Sequence, residues 1–173
     1  METHVDKRIA SVLTGFRLPR YHEIPDVGLY LEQVTKYISD CLSPIANVVI
    51  TGSMISNYVK RDLIPNPVRK QYNREHIAWL IYIAVLKNVV SIDDLRLMLD
   101  VQKETYPTGI AYNYFCSEFE NLLEYVFGRK SEIEKVGVEN TGEKTMLRNA
   151  IITVVHKIYL DQLFAVLRKE RNS

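Results

Sequence analysis

The apolar residues of this chain recur at intervals of three and four positions over most of its length. This period is typical of amphipathic helices that bury one face. It predicts helices over 5–14, 26–42, 52–61, 74–90, 92–103, 110–135 and 143–169. No pair of alternating runs indicates a sheet, apart from a short wing near 66–73. The pattern therefore predicts an all-α fold.

Helix-starting residues precede several of these segments. Thr51 or Ser53, Asn73 and Ser91 are residue types whose side-chain oxygens accept a hydrogen bond from a free backbone N–H in the first helical turn. Pro25 suits the start of the second helix, because proline lacks an N–H that this turn would leave unpaired. These signals make the helix starts easier to predict than the helix ends.

The chain divides into a region of shorter helices, 1–103, and a C-terminal helical region, 104–173. The helix predicted at 110–135 is rich in aromatic residues, and the helix predicted at 143–169 is apolar over most of its circumference. Such a helix is normally central or buried in a subunit contact. Two interpretations stay open for this region: a core with a dimerisation contact, or a pocket for a small-molecule effector.

Composition limits the class of protein. A hydrophobic share of 47% and a charged share of 25% are those of an ordinary globular chain. No segment approaches the roughly 20 apolar residues that a membrane span needs, and the N-terminus does not resemble an export signal. Cys41 and Cys116 lie among apolar residues and are expected to be reduced. We expect a cytoplasmic protein that does not bind a membrane.

Positive charge is concentrated in one stretch. The formal net charge is only +1, yet residues 51–88 contain six basic residues against two acidic ones. A polyanion responds to local charge rather than to net charge, so this stretch is the first candidate for a functional surface.

The helix predicted at 52–61 has the two faces that a DNA-reading helix needs. Its inward positions are apolar, and its outward positions are Ser53, Ser56, Asn57 and Lys60, with Arg61 at the end. Serine and asparagine can hydrogen-bond to base edges or phosphates, whereas lysine and arginine neutralise backbone charge. The alternative interpretation is an ordinary amphipathic surface helix with solvated charges.

The connector that follows adds a basic cluster. Arg69, Lys70 and Arg74 surround Tyr72 between the proline-flanked turn and the next helix. Together they form a candidate phosphate clamp beside the reading helix.

The sequence gives little indication of a metal site, a cofactor site or a catalytic site. His4, His22, His76 and His156 are scattered, without Cys, Asp or Glu at metal-ligand spacing. No glycine-rich phosphate loop, nucleophile elbow or Cys/His dyad is evident. We expect neither a metal nor another cofactor, and no enzymatic activity.

The run from Met54 to Leu99 resembles the helix-turn-helix module of MerR-type regulators. Tyr58 matches the tyrosine of the family's recognition helix, Leu63-Ile64-Pro65 its Leu-Ile-Pro, Tyr72 the wing tyrosine, and Ser91 the start of the last helix. Ser56 stands where the family usually has Arg, and Asp62 where it usually has Gly.

This resemblance implies roles for individual residues. Ser56 and Asn57 would read bases, Tyr58 would touch a phosphate, and Arg69 and Arg74 would contribute wing contacts. Residues 18–100 also resemble a bacterial family catalogued as a domain of unknown function, number 1836, which is thought to contain the same module.

The resemblance and the charge distribution together predict a winged, MerR-like DNA-binding module packed with a C-terminal helical region. The expected function is that of a transcriptional regulator that binds double-stranded DNA as a homodimer. The alternative is a helical protein-interaction module or small-ligand sensor that has lost DNA binding.

Overall fold

The computed structural model describes residues 4–137 and 140–172, which form seven α-helices without a β-strand longer than an isolated bridge. The helices are α1 His4–Val12, α2 Leu31–Leu42, α3 Gly52–Lys60, α4 Arg74–Leu86, α5 Ile92–Thr105, α6 Thr108–Val126 and α7 Gly142–Arg171. A single 3₁₀ turn, Tyr21–Glu23, precedes α2. The all-α prediction is confirmed.

The predicted N-caps form as expected. The Thr51 hydroxyl accepts from the backbone N–H of Met54 at 3.2 Å, and the Ser91 hydroxyl accepts from that of Asp94 at 3.1 Å. Thr51 rather than Ser53 is therefore the cap of α3. At the start of α4, the Asn73 side chain accepts from the N–H of His76 at 3.0 Å.

The second predicted helix begins later than the sequence pattern indicated. α2 starts at Leu31, not at 26, and Gly28 has φ +71°. Leu29 instead pairs with Tyr72 through two reciprocal backbone hydrogen bonds of 2.8 Å. Since these bonds use the amide and carbonyl that a helix would need, the segment stays extended. Val27, an apolar residue of the segment predicted to be helical, is 79% exposed.

The predicted end of the sixth helix was also wrong. The pattern predicted a helix to 135, whereas α6 ends at Val126 and Gly128 turns the chain with φ +72°. The segment between α6 and α7 therefore extends from residue 127 to residue 141, and its residues 138–139 lie outside the described residues. α7 begins at Gly142, with Thr141 as its cap.

The centre of the molecule is α4. Every residue from His76 to Leu86 is buried, and the helix packs against α2, α6 and α7. One hydrophobic core runs through all of the helices, from Ile9 in α1 to Val166 in α7. Regions 1–103 and 104–173 therefore share a core. Cys116 lies in it and Cys41 beside it, both as free thiols.

α7 is the one helix among the described residues that is long and apolar enough to cross a bilayer. An 18-residue stretch of it has a mean hydropathy of 1.5, and 28% of that stretch is buried in the protein. The expectation that no segment approaches this length and composition was therefore wrong. A core helix of a soluble protein meets the same criterion, and α7 packs against α1, α4, α5 and α6.

Candidate nucleic-acid interface

The outer face of α3 carries the side chains that the sequence assigned to base reading. Ser53, Ser56, Asn57 and Lys60 are all exposed. The opposite face is anchored in the core by Ile55 and Tyr58. Because the inner residues fix the rotation of the helix, the hydroxyl and amide groups point to solvent. No other described residue bonds to the side chains of Ser53, Ser56 or Asn57.

α3 ends in a turn that requires a left-handed residue. Asp62 has φ +55°, its N–H donates to the carbonyl of Val59 at 3.0 Å, and the N–H of Leu63 donates to that of Tyr58 at 2.9 Å. These two bonds define a Schellman motif, in which the left-handed residue is usually glycine. Asp62 thus differs from the regulator pattern in residue type but keeps the conformation that glycine would adopt.

α5 holds the C-terminal end of α3 in place. The Arg96 guanidinium donates to the backbone carbonyls of Arg61 and Asp62, the latter at 3.3 Å. A cation at this end of a helix is favoured by the helix dipole. Asp93 approaches Arg61 at 3.5 Å, but both side chains are exposed, so this ion pair adds little. The role of Arg96 is not evident from the sequence, because its partners lie 34 and 35 residues away.

The predicted wing is reduced to a two-residue turn. Val68 and Gln71 form an antiparallel bridge, and the N–H of Gln71 donates to the carbonyl of Val68 at 2.9 Å. Arg69 and Lys70, at the tip, have φ +52° and +62° and are exposed. Positive φ at both central residues is the geometry of a type I′ turn.

This tip is built from unfavourable residues. A type I′ turn favours Asn or Gly at its centre, whereas a long L-residue in the left-handed region costs roughly 1 kcal/mol. Arg69 and Lys70 therefore hold two cations at the tip of a short, tight turn despite an unfavourable backbone. Such strain is typical of positions where the side chain serves a function.

The start of α2 connects the wing to α3. Leu29 pairs with Tyr72 in the returning arm of the wing, and two residues later Leu31 begins α2. The Leu31 side chain lies about 3.6 Å from the position a Cβ on Gly52 would occupy, at the first turn of α3. The wing and α3 therefore both contact the short segment that leads into α2.

Three residues of the sequence-based site do not lie on the exposed surface. Tyr58 and Tyr72 are 4% and 5% exposed, because their rings fill the core beneath α3 and the wing. Arg74 is half-buried: its Nε donates to the carbonyl of Ile24 at 2.9 Å, and its guanidinium lies over the Tyr21 ring. These residues position the surface, so we remove them from the candidate contacts.

His76 fastens the connector to the start of α4. Its Nδ1 lies 3.1 Å from the backbone nitrogen of Asn73 and 2.7 Å from the Asn73 Oδ1, and its Nε2 lies 3.2 Å from the carbonyl oxygen of Pro65. Burial lowers the pKa of His76, and the bonds to backbone carbonyls and neighbouring Glu75 offset part of this effect. The neutral ring thereby fixes the distance between the end of α3 and the wing.

The remaining candidate surface is cationic and polar. Lys60, Arg61, Arg69 and Lys70 are exposed, alongside the three polar side chains of α3. Asp62 and Asp93 are the acidic residues nearest to it in the contacts above. Within the described residues no group of three or more His, Cys, Asp or Glu side chains could hold a metal ion.

The comparison with protein families identifies this chain's relatives. The sequence profile described as Domain of unknown function (DUF1836) matches residues 19–115, more than half of the chain. The chain belongs to the DUF1836 family. The matched segment begins before the 3₁₀ turn and ends within α6, so the DUF1836 region includes α2 to α5 and the whole candidate surface. Neither a curated protein nor a solved structure matches the chain.

Proposed function

We propose that this protein is a sequence-specific DNA-binding protein with a MerR-like winged helix-turn-helix, acting in the cytoplasm as a transcriptional regulator. The observation that carries the proposal is the juxtaposition of α3, whose polar side chains are exposed and unpaired, with a strained turn that presents two cations. α3 would enter the major groove, where Ser56 and Asn57 read base edges. Arg69 and Lys70 would bind phosphates.

The size of α3 supports this assignment. Its nine residues make it about 13 Å long at 1.5 Å per residue, and a helix about 10–12 Å across with its side chains fits a major groove about 12 Å wide. Its inner face is held by the core and its far end by Arg96, so the helix is rigid. A rigid reading helix loses little entropy on binding, which favours specificity over loose electrostatic attachment.

We further propose that the protein binds DNA as a homodimer through α7. Beyond the first two turns of this helix, four large apolar side chains are exposed: Ile152, Leu160, Phe164 and Leu167. Lys157 and Asp161 of the same helix pair with each other at 2.6 Å, so they bring no unpaired charge to this face. A second copy of α7 would cover the exposed apolar side chains with its own.

Binding of selected DNA tests the proposal. Fragments are selected from a random library with purified protein, and their dissociation constants are measured at several salt concentrations. Two copies present about eight exposed cations, so log affinity should fall with log salt with a slope near −7. A slope near zero would reject the proposal.

Two variants separate base reading from charge. Asn57→Ala should lower the ratio of the affinity for the selected site to the affinity for unrelated sequences by about ten- to a hundredfold. Lys70→Ala should weaken all sequences alike and make the slope shallower by about two per dimer. Lys135→Ala, an exposed lysine in the connector before α7, is the matched control and should change neither. If Asn57→Ala and Lys70→Ala both bind like Lys135→Ala, α3 and the wing are not the interface.

A further inference from the structure

A cavity of about 130 Å³ lies between α4, α5, α6 and the first turns of α7. Its wall is mostly apolar and includes Met98 and Val101 of α5, Ala111 of α6, and Leu147 of α7. At the rim, Lys144 stands 5.3 Å from the centre of the Tyr114 ring. The cavity is on the side of α5 that belongs to the C-terminal region, away from the candidate DNA surface.

Two polar side chains line this cavity without a protein partner. Tyr82 is 2% exposed and Gln102 is 9% exposed, and both contribute to the wall. No described residue forms a hydrogen bond with the Tyr82 hydroxyl or the Gln102 side-chain amide. No fully enclosed side-chain polar atom among the described residues lacks a partner, so the polar atoms of Tyr82 and Gln102 are open to solvent. The cavity that both residues line is where a ligand group would replace that solvent.

This arrangement is unusual for a buried wall. An unpaired hydroxyl or amide in an apolar environment costs on the order of 1–3 kcal/mol, so buried polar groups normally find partners. Other buried polar residues of the same region do: Glu118 bonds to Arg148 at 2.9 Å, and Asn121 to the backbone of Glu134. Tyr82 and Gln102 have no such partner, and both line the cavity.

We infer that this cavity is a binding site for a small, uncharged, mainly apolar molecule with one hydroxyl or carbonyl group. The apolar wall would contact its body, while Tyr82 and Gln102 would bond to its polar group. A charged ligand fits poorly, because the deep polar groups are neutral and could not offset its desolvation. Burial raises the pKa of Tyr82, so its hydroxyl stays protonated and can donate. The inference does not depend on DNA binding.

The volume limits the ligand to about the size of a benzene ring. A protein cavity of about 150 Å³ lined by apolar side chains accommodates benzene. Phenol therefore matches the inferred chemistry as a probe, since it adds one hydroxyl to a ring of that size. Toluene is its matched control, with a methyl group in place of the hydroxyl.

Methionine methyl resonances report where the probe binds. Met98 and Met146 line the cavity, whereas Met54 lies in α3 and serves as an internal control. In the full chain with ¹³C-labelled methionine methyl groups, phenol should shift the Met98 and Met146 signals in a saturable way. The Met54 signal should stay in place. Absence of a saturable shift at Met98 and Met146 up to tens of millimolar phenol would overturn the inference.

Three variants test the polar contacts. Tyr82→Phe and Gln102→Leu should each weaken phenol binding about five- to tenfold, the loss of one hydrogen bond, while toluene binding changes less than twofold. Tyr125→Phe, an exposed tyrosine of α6, is the matched control and should leave both affinities unchanged. Tyr82→Phe removes a single oxygen, so it remains informative even if Gln102→Leu fails to fold. A phenol-to-toluene preference unchanged in Tyr82→Phe would overturn the inference.

Discussion

His76 shows how one residue of this protein responds to pH. Its neutral ring joins Asn73 to Pro65, and burial lowers its pKa below the ordinary value near 6.5. The unfolded chain therefore takes up this proton at a higher pH than the folded chain. The resulting stability is fully present above about pH 6.5 and is lost as the pH falls through the pKa of the folded state.

We expect His76→Gln to flatten this dependence. Glutamine keeps an acceptor and a donor but does not titrate, so the free energy of unfolding should change less between pH 7 and pH 5 than in the wild type. Urea unfolding at several pH values measures the difference. His156→Gln, at an exposed position of α7, is the control and should keep the wild-type profile. If the free energy of unfolding changes equally with pH in the wild type and in His76→Gln, the ring is not held neutral.

At the same scale, the candidate contacts differ in how far the sequence could assign them. Ser53, Ser56 and Asn57 were predicted to be exposed because their neighbours Ile55 and Tyr58 define the inner face of a helix. Arg74 has the same charge and local setting as Arg69, yet it bonds to a carbonyl 50 residues away. Sequence spacing carries no information about such a partner.

At the scale of the elements, the end of α3 stores a removable strain. Asp62 adopts the left-handed conformation at a cost of roughly 1–2 kcal/mol for an L-residue, and glycine would avoid this cost. Glycine also gives the unfolded chain more conformational freedom, which lowers the free energy of unfolding by about 0.4–1 kcal/mol. The strain outweighs the entropy, so the net effect of glycine should be stabilising.

Asp62→Gly should therefore raise the free energy of unfolding by about 0.5–1 kcal/mol, measured by urea denaturation. The control is Arg61→Gly, one residue earlier, where φ is −91° and glycine relieves nothing. That variant should be destabilised by about 0.5–1 kcal/mol. A loss of stability in both variants would mean that position 62 has no strain to release.

The start of α2 illustrates an element that the pattern placed incorrectly. Residues 26–30 continue the helical spacing of α2, so the local sequence is compatible with a helix there. In the structure, however, Gly28 adopts φ +71°, which a helix does not allow. The pairing of Leu29 with Tyr72 decides the matter, since a backbone amide donates to one principal acceptor. A partner 43 residues away in sequence thus overrides the local preference.

At the scale of the whole molecule, two surfaces and one cavity are joined by shared helices. α5 contacts the end of α3 through Arg96 and lines the cavity through Gln102. α7 lines the same cavity through Leu147 and exposes its apolar face further along. These helices would connect the proposed DNA-reading element to the proposed subunit contact through a single core.

The proposed dimer gives the whole-molecule prediction. Phe164→Asp places a charge in the exposed apolar face of α7 and should convert the dimer to a monomer in sedimentation equilibrium. DNA affinity should then fall at least tenfold, because each monomer contacts only one half-site. Ile133→Asp changes an exposed apolar residue outside α7 and should leave the oligomeric state and the DNA affinity unchanged. If the wild type is a monomer with or without DNA, the α7 contact is ruled out.

By itself the sequence determined which segments are helical, where most of them start, and which face of α3 is exposed. These features depend on apolar spacing and on side-chain bonds that reach three residues along the chain, as Thr51 and Ser91 show. Only the tertiary structure decided that Arg74 is anchored, that Arg96 holds α3, and that Tyr82 and Gln102 meet at one cavity. Those outcomes depend on partners brought together by packing, and the free energy of such contacts is not encoded in any local stretch of residues.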